Sequence, residues 1–257
     1  MKTLGIDALG RRTIAFFEEF GQVNLLVYRM IKSLRRIHRD YGLVLEQMVH
    51  VGVGSIPLVL VIGLFTGMVS AWQAAYQFKG MISFSMIGMA VSRAIFTELG
   101  PVLSAIVIAG RVGASIAAEI GTMKVTEQID ALESMAIDPV RYLAMPRVLA
   151  AIIMMPVLVV FANAIALIGS FLVANFFLGL TSETYFGSVS RFFHVKDVMA
   201  GILKSVFFGS VTALLGCHIG FRTSGGAEGV GQSTIRSFVL SAACILILDY
   251  LLWFIIY

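Results

Sequence analysis

Over residues 51–78, and again over 148–180, the sequence contains no Asp, Glu, Lys or Arg. A hydrocarbon layer about 30 Å thick is crossed by about 20 helical residues, so each stretch can span it with slack for tilt. A soluble fold would instead break its apolar residues into short periodic runs, one face at a time. Composition agrees: 58% of the 257 residues are hydrophobic and 13% are charged, against about 45–50% and about 25% in soluble domains. Within lipid every backbone polar group must find its partner inside the chain, so the expected fold class is an all-α integral membrane protein.

Three further apolar stretches bring the expected number of spans to five, at about 51–78, 81–110, 148–180, 198–219 and 238–257. The second carries Arg93, Glu98 and the pair Gly100-Pro101, the fourth carries Lys204 and the fifth Asp249. Basic residues are retained on the cytoplasmic side. With the N-terminus inside, fourteen of the nineteen Lys and Arg fall in cytoplasmic segments and only Lys79, Arg191 and Lys196 fall outside. Five spans then leave the C-terminus on the far side. Met1 to Arg12 has no apolar block or small-residue cleavage site of the secretory kind, so the spans themselves are expected to direct insertion.

Between the spans, four segments have characters of their own. Ahead of the first, Phe16, Phe20, Val23, Val27, Met30, Leu34 and Ile37 recur at helical steps among Arg29, Lys32, Arg35, Arg36 and Arg39. That pattern predicts an amphipathic helix at the cytoplasmic face, lying in the headgroup layer or packed on a partner protein. Residues 113–147 form a polar segment in which Ile120, Met123, Ile129, Leu132, Met135 and Ala136 trace a helical stripe beside Glu119, Glu127, Asp130 and Glu133; a solvated loop helix and a docking helix for a cytoplasmic partner both fit. Tyr185, Phe186, Phe192 and Phe193 suit a short helix at the outer interface, where aromatic rings settle. The glycines of residues 220–231 predict a flexible cytoplasmic loop.

An ionisable group at membrane depth costs at least about 2.5–3.5 kcal/mol at a helix centre, so each needs a partner or a hydrated cavity. Arg93 stands one turn from Thr97 with Glu98 beside it, and Glu98 and Lys204, on different spans, can pair across the bundle, either as an ion pair that only fixes packing or as part of a substrate site. Asp249 reads as a packing ion pair or as a group close to the outer surface. Gly100-Pro101 predicts a broken or kinked second span, because proline lacks a backbone donor and clashes with the preceding turn. A charged residue beside a broken helix is a candidate substrate locus. Catalytic signals are missing: the sequence has no Gly-Lys dipeptide for a phosphate-cradling loop, no metal-ligand spacing among its four histidines and no G-x-S-x-G turn. Cys217 and Cys244 read as packing residues. The chain is therefore expected not to be an enzyme, and any ATP hydrolysis belongs to a separate subunit.

The runs Thr97-Glu98-Leu99-Gly100-Pro101-Val102, Ala109-Gly110-Arg111-Val112-Gly113, Ala118-Glu119-Ile120-Gly121-Thr122-Met123, Thr126-Glu127-Gln128 and Met135-Ala136-Ile137-Asp138-Pro139 together resemble the signature of MlaE-type permeases, the membrane subunits of ABC transporters that move phospholipids between bacterial membranes with MCE-domain partners. The resemblance implies an amphipathic region at 1–48, a permease domain at 49–257, a bacterial inner-membrane location and a role in outer-membrane lipid asymmetry. It also implies a homodimer, two cytoplasmic ATPase subunits that bind ATP and Mg (this chain holding no cofactor), and a periplasmic ring of MCE proteins. A lipid cavity at the dimer interface would be lined by Gln73, Gln77, Phe78, Arg93, Thr97, Glu98, Leu99 and Lys204. The coupling region would grip the ATPase through Glu119, Met123, Glu127, Gln128, Asp130 and Leu132. Some members carry arginine immediately before the glutamate; this chain has Thr97 there and Arg93 one turn earlier, a departure that keeps the headgroup contacts from being transferred unchanged. Two rival readings remain from the residues alone. A secondary transporter would use Arg93, Glu98 and Lys204 as a relay, although the internal repeats common in such proteins are not evident, and a scaffold would only anchor its partners.

Overall fold

A computed structural model of the chain describes residues 3–33, 40–79 and 86–256. Among them every regular element is a helix: α1 (Thr3–Ser33), α2 (Tyr41–Val51), α3 (Ile56–Phe78), α4 (Ile87–Ala94), α5 (Gly100–Ile108), α6 (Ala114–Val125), α7 (Gln128–Ser134), α8 (Met145–Leu178), α9 (Ser182–Arg191), α10 (Val195–Phe221) and α11 (Gly226–Ile256). Short π turns at Ile95–Leu99, Ala109–Gly113 and Val140–Ala144 join neighbouring helices without ending them.

Among the described residues, five continuous helical runs are long and apolar enough to cross a membrane, as expected: Tyr41–Phe78, Ile87–Val125, Val140–Leu178, Val195–Phe221 and Gly226–Ile256. Several outrun the apolar stretches that betray them. The second extends through α6 into the polar segment, and the fifth begins at Gly226, so most of the expected glycine loop is helix. Gly225 and Gly226, with φ of 89° and 66°, make the turn into α11, a conformation that a side chain would disfavour. Residues 81–85, the expected start of the second span, lie outside the described residues.

Small residues fix the central packing. Gly63, Gly67, Ala71 and Ala75 are buried along one face of α3, and that face lies on α8. A Cβ at Gly67 would overlap the backbone carbonyl of Ala166, and one at Gly169 the carbonyl of Leu64. The two backbones therefore touch, the arrangement by which membrane helices gain dispersion energy when lipid supplies no hydrophobic drive. The opposite face of α3 exposes Val61, Phe65, Val69, Trp72 and Tyr76. At the end of α8, Gly179 at φ 67° stops the helix, and the Thr181 hydroxyl accepts the backbone N–H of Thr184 to start α9.

The N-terminal pattern folds as the helix α1, and Leu26, Met30 and Ser33 are buried against this chain's own bundle, with Val23 and Val27 half-buried beside them. Ile14, Phe17, Leu25, Tyr28 and Ile31 stay exposed. The side chains of Phe16 and Phe20, and residues Leu34, Arg35, Arg36, Ile37 and Arg39, lie outside the described set. Of the aromatics read as interfacial, Phe186, Phe192 and Phe193 are exposed, but Tyr185 is buried and its hydroxyl hydrogen-bonds Ser170 of α8. Tyr185 thus ties α9 to the bundle.

Candidate functional site: a buried lysine among two carboxylates

Gly100-Pro101 does not break the second span. The Gly100 N–H bonds the carbonyl of Ile95, five residues back, and this wider turn delivers Pro101 into the first turn of α5, where a missing donor is tolerated. One consequence remains. Proline cannot supply the helical donor for the carbonyl four residues earlier, that of Thr97, and here Lys204 Nζ lies 3.3 Å from that oxygen. The orphan created by the proline becomes part of the lysine's shell.

Lys204 reaches it because α10 has a glycine one turn earlier: a Cβ at Gly201 would run into the Phe96 carbonyl and the Pro101 ring. The lysine side chain is 0% exposed, with Nζ 2.6 Å from Glu98 Oε1 and 2.8 Å from Asp249 Oδ1. Glu98 and Asp249 retain 34% and 20% exposure. The pairing open to Glu98 and Lys204 is present, and of the two readings of Asp249 the ion pair is the one found, in the same cluster. An ammonium between two carboxylates carries a formal charge of −1. The charges cost several kcal/mol each to desolvate, so the ion pairs by themselves are weak grounds for net stabilisation.

Arg93 does not join them. Its Nε lies 3.4 Å from Asp197 Oδ2, and Asp197 is almost fully buried. Asp197, Gly201 and Lys204 stand at i, i+4 and i+7 on one face of α10, so this face meets the second span twice. Thr97 is buried and its hydroxyl donates to the Arg93 carbonyl; its own carbonyl is what faces Lys204.

Gly100 Cα faces Asn163 of α8, whose Oδ1 sits where a Cβ would be. Gly100→Ala is therefore expected to cost about 1–3 kcal/mol by overpacking, seen as a lower melting temperature of the purified protein. Gly110→Ala, whose new methyl would meet only Phe238 at 3.4 Å, is expected to melt close to the parent.

The other expected cavity residues open elsewhere within one chain. Gln73 and Gln77 are exposed on α3, and Gln73 lines an apolar groove of about 510 Å³ with Met68, Val69, Trp72, Tyr76 and Val173. Phe78 and Leu99 are half-buried against the small core of α3, α4 and α8. Leu99 thus faces α3 while Glu98 faces α10 and α11.

At the opposite end, α6 carries the chain to α7, a seven-residue helix bracketed by the left-handed residues Glu127 (φ 59°) and Ala136 (φ 58°). Ile129 is buried and Met123 and Leu132 are half-buried against the main core. Lys124 pairs with Asp130 at 2.8 Å, and Glu127, Gln128 and Asp130 are exposed. Glu119 is partly exposed but has partners within the chain: its oxygens lie 2.9 Å from Ser115 Oγ and 3.0 Å from Arg147 Nη2. Met135 and Ile137 are 62% and 37% exposed, two apolar side chains at the tip of a polar segment. Arg147, Asp197 and Asp249 are not among the expected site residues, whereas Met135 belongs to the helical stripe expected in the 113–147 segment. For Asp249 the signal was available, since an acid inside an apolar span demands a cation and Lys204 is one of very few.

The family described as Permease MlaE matches residues 44–255. A probable ABC transporter permease protein of Rickettsia felis is 39% identical over 246 residues, covering 96% of this chain and 95% of that protein. One of Synechocystis is 39% identical over 242 residues, 94% and 89% of the two chains. The intermembrane phospholipid transport system permease protein MlaE of Haemophilus influenzae is 34% identical over 251 residues, 96% and 95% of the two chains.

Proposed function

The chain belongs to the MlaE permease family of ABC transporter permeases, and from that premise we propose that it moves phospholipids between the bacterial inner membrane and a conduit of MCE-domain proteins, so maintaining outer-membrane lipid asymmetry. The observation that carries this reading is the Lys204 cluster. Two partly exposed carboxylates inside apolar spans cannot be left to hydrocarbon. A second copy of the chain facing the first would cover them and enclose a polar-bottomed, apolar-walled space, to which the groove at Gln73 adds its aromatic lining. Acyl chains would occupy the walls and the headgroup would meet Glu98, Lys204 and Asp249. The N-terminus and the 113–147 segment then face the cytoplasm and the C-terminus the periplasm.

Energy comes from a separate ATPase in this reading, gripping the tip formed by Glu127, Gln128, Asp130, Met135 and Ile137. Exposed apolar side chains on a polar loop are what a protein partner buries. The test is to reconstitute the chain with its ATPase and follow labelled phospholipid into acceptor vesicles. Transfer is expected to require ATP, and Met135→Asp is expected to lower it about tenfold together with ATPase co-purification, as loss of an interface anchor does. Equal transfer by the chain alone would overturn the reading. The relay and scaffold alternatives have no such ATP dependence.

A further inference from the structure

Within the coupling region one contact runs against the expectation that its acidic residues face a partner. Glu119, on α6, places Oε2 3.0 Å from Arg147 Nη2, and Arg147, at the start of α8, also donates from Nη1 to the Leu143 carbonyl at 2.9 Å. The Arg147 side chain is 10% exposed. Glu119 Oε1 is held by Ser115 Oγ at 2.9 Å and approached by His50 Nε2, on α2, at 3.8 Å. Both carboxylate oxygens are thus hydrogen-bonded within the chain, and the carboxylate joins α6 to α8 although its side chain is 39% exposed.

Resting on the coupling role proposed above, we propose that Glu119 and Arg147 form an internal clasp that carries displacement of α7 into α8, and are positioning residues that do not contact the ATPase. The route is mechanical and continuous. The tip α7 hangs from α6. Glu119 ties α6 to the first turn of α8, and α8 touches α3 backbone to backbone at Gly67 and Gly169. α3 bears Gln73. An ion pair shielded at its arginine end is stiff because breaking it strands a buried charge, so motion of α6 is passed on to α8 instead of being absorbed in side-chain rotation. A surface pair would slip.

The test uses the assembled transporter in proteoliposomes and conservative variants that keep bulk and hydrogen bonding: Glu119→Gln, Arg147→Lys and the two combined. Each single change is expected to lower ATP-driven phospholipid transfer about tenfold, within the range by which coupling residues act. ATPase co-purification and ATP turnover should stay within about twofold, so that more ATP is hydrolysed per lipid moved. The combined variant is expected to be no worse than the weaker single one, because the second change removes a contact already lost. Multiplying losses in the combined variant, or loss of ATPase association in Glu119→Gln, would overturn the clasp. Parallel loss of transfer, ATP turnover and melting temperature would also overturn it, assigning the pair to stability alone. A parent complex that transfers lipid without ATP would instead overturn the function on which the clasp rests.

Discussion

Replacing Lys204 with methionine is expected to be the most damaging single change in the bundle. Methionine matches the lysine stem in length but removes the ammonium that lies 2.6 and 2.8 Å from Glu98 and Asp249 in the parent, leaving the two carboxylates without a cation. It also abandons the Thr97 carbonyl that Pro101 cannot serve. Removing one partner from a buried ion pair costs about 3–5 kcal/mol, a large share of the total stability of about 5–15 kcal/mol that a domain commands. Lys204→Met should therefore give little monodisperse protein after extraction and a sharply lowered melting temperature. The triple variant Lys204→Met, Glu98→Gln, Asp249→Asn removes the charges together and is expected to recover yield and melting temperature while transferring no lipid. That contrast separates the cost of stranding charge from the use of the charge. If Lys204→Met alone melted with the parent, the cluster would not be the buried element described here.

How much of this the sequence disclosed follows from how local each signal is. Charge-free runs are local, so the existence of five spans was plain from residues 51–78 and 148–180 onward. Their ends were not, because an apolar window stops where lipid stops whereas a helix continues for as long as its backbone stays bonded, as α6 and the first turns of α11 do. The glycines of residues 226–231 lower helix propensity, yet tertiary support overrides it: Thr223 Oγ1 bonds Ser233 Oγ at 2.9 Å across the turn. Partner choice is the least local property. Glu98 and Lys204 were matched because both were conspicuous, but Arg93 going to Asp197, and Asp249 joining Lys204, depend on which helices adjoin. The acidic residues of 113–147 illustrate the same limit. Glu119 and Glu127 look alike in sequence, and only the ion pair with Arg147 of α8 shows that the first is engaged within the chain.

Gly67→Val is expected to prevent α3 and α8 from closing, an effect second only to loss of Lys204. On sequence grounds the substitution looks harmless, since valine is more hydrophobic and glycine is a poor helix former. The obstacle is geometric. The first atoms a side chain at Gly67 would meet are the carbonyl oxygen, carbonyl carbon and Cα of Ala166, which belong to the backbone of a helix and cannot rotate aside as a side-chain tip would. Ordinary overpacking costs about 1–3 kcal/mol; here relief requires moving a whole helix, which would also part Gly63 from Ala162 and Gly169 from Leu64. A reciprocal Ala166→Gly change is expected to give no rescue, because it removes only a methyl group that is not in the way. Gly187→Val, on α9 where nothing lies within 4 Å of the new Cβ, serves as the control for adding a branched side chain to a helix. Melting temperature and monodisperse yield of the two proteins provide the measurement: Gly187→Val should track the parent while Gly67→Val falls far below it. Equal melting of the two would mean that α3 and α8 stand further apart than a direct backbone contact allows.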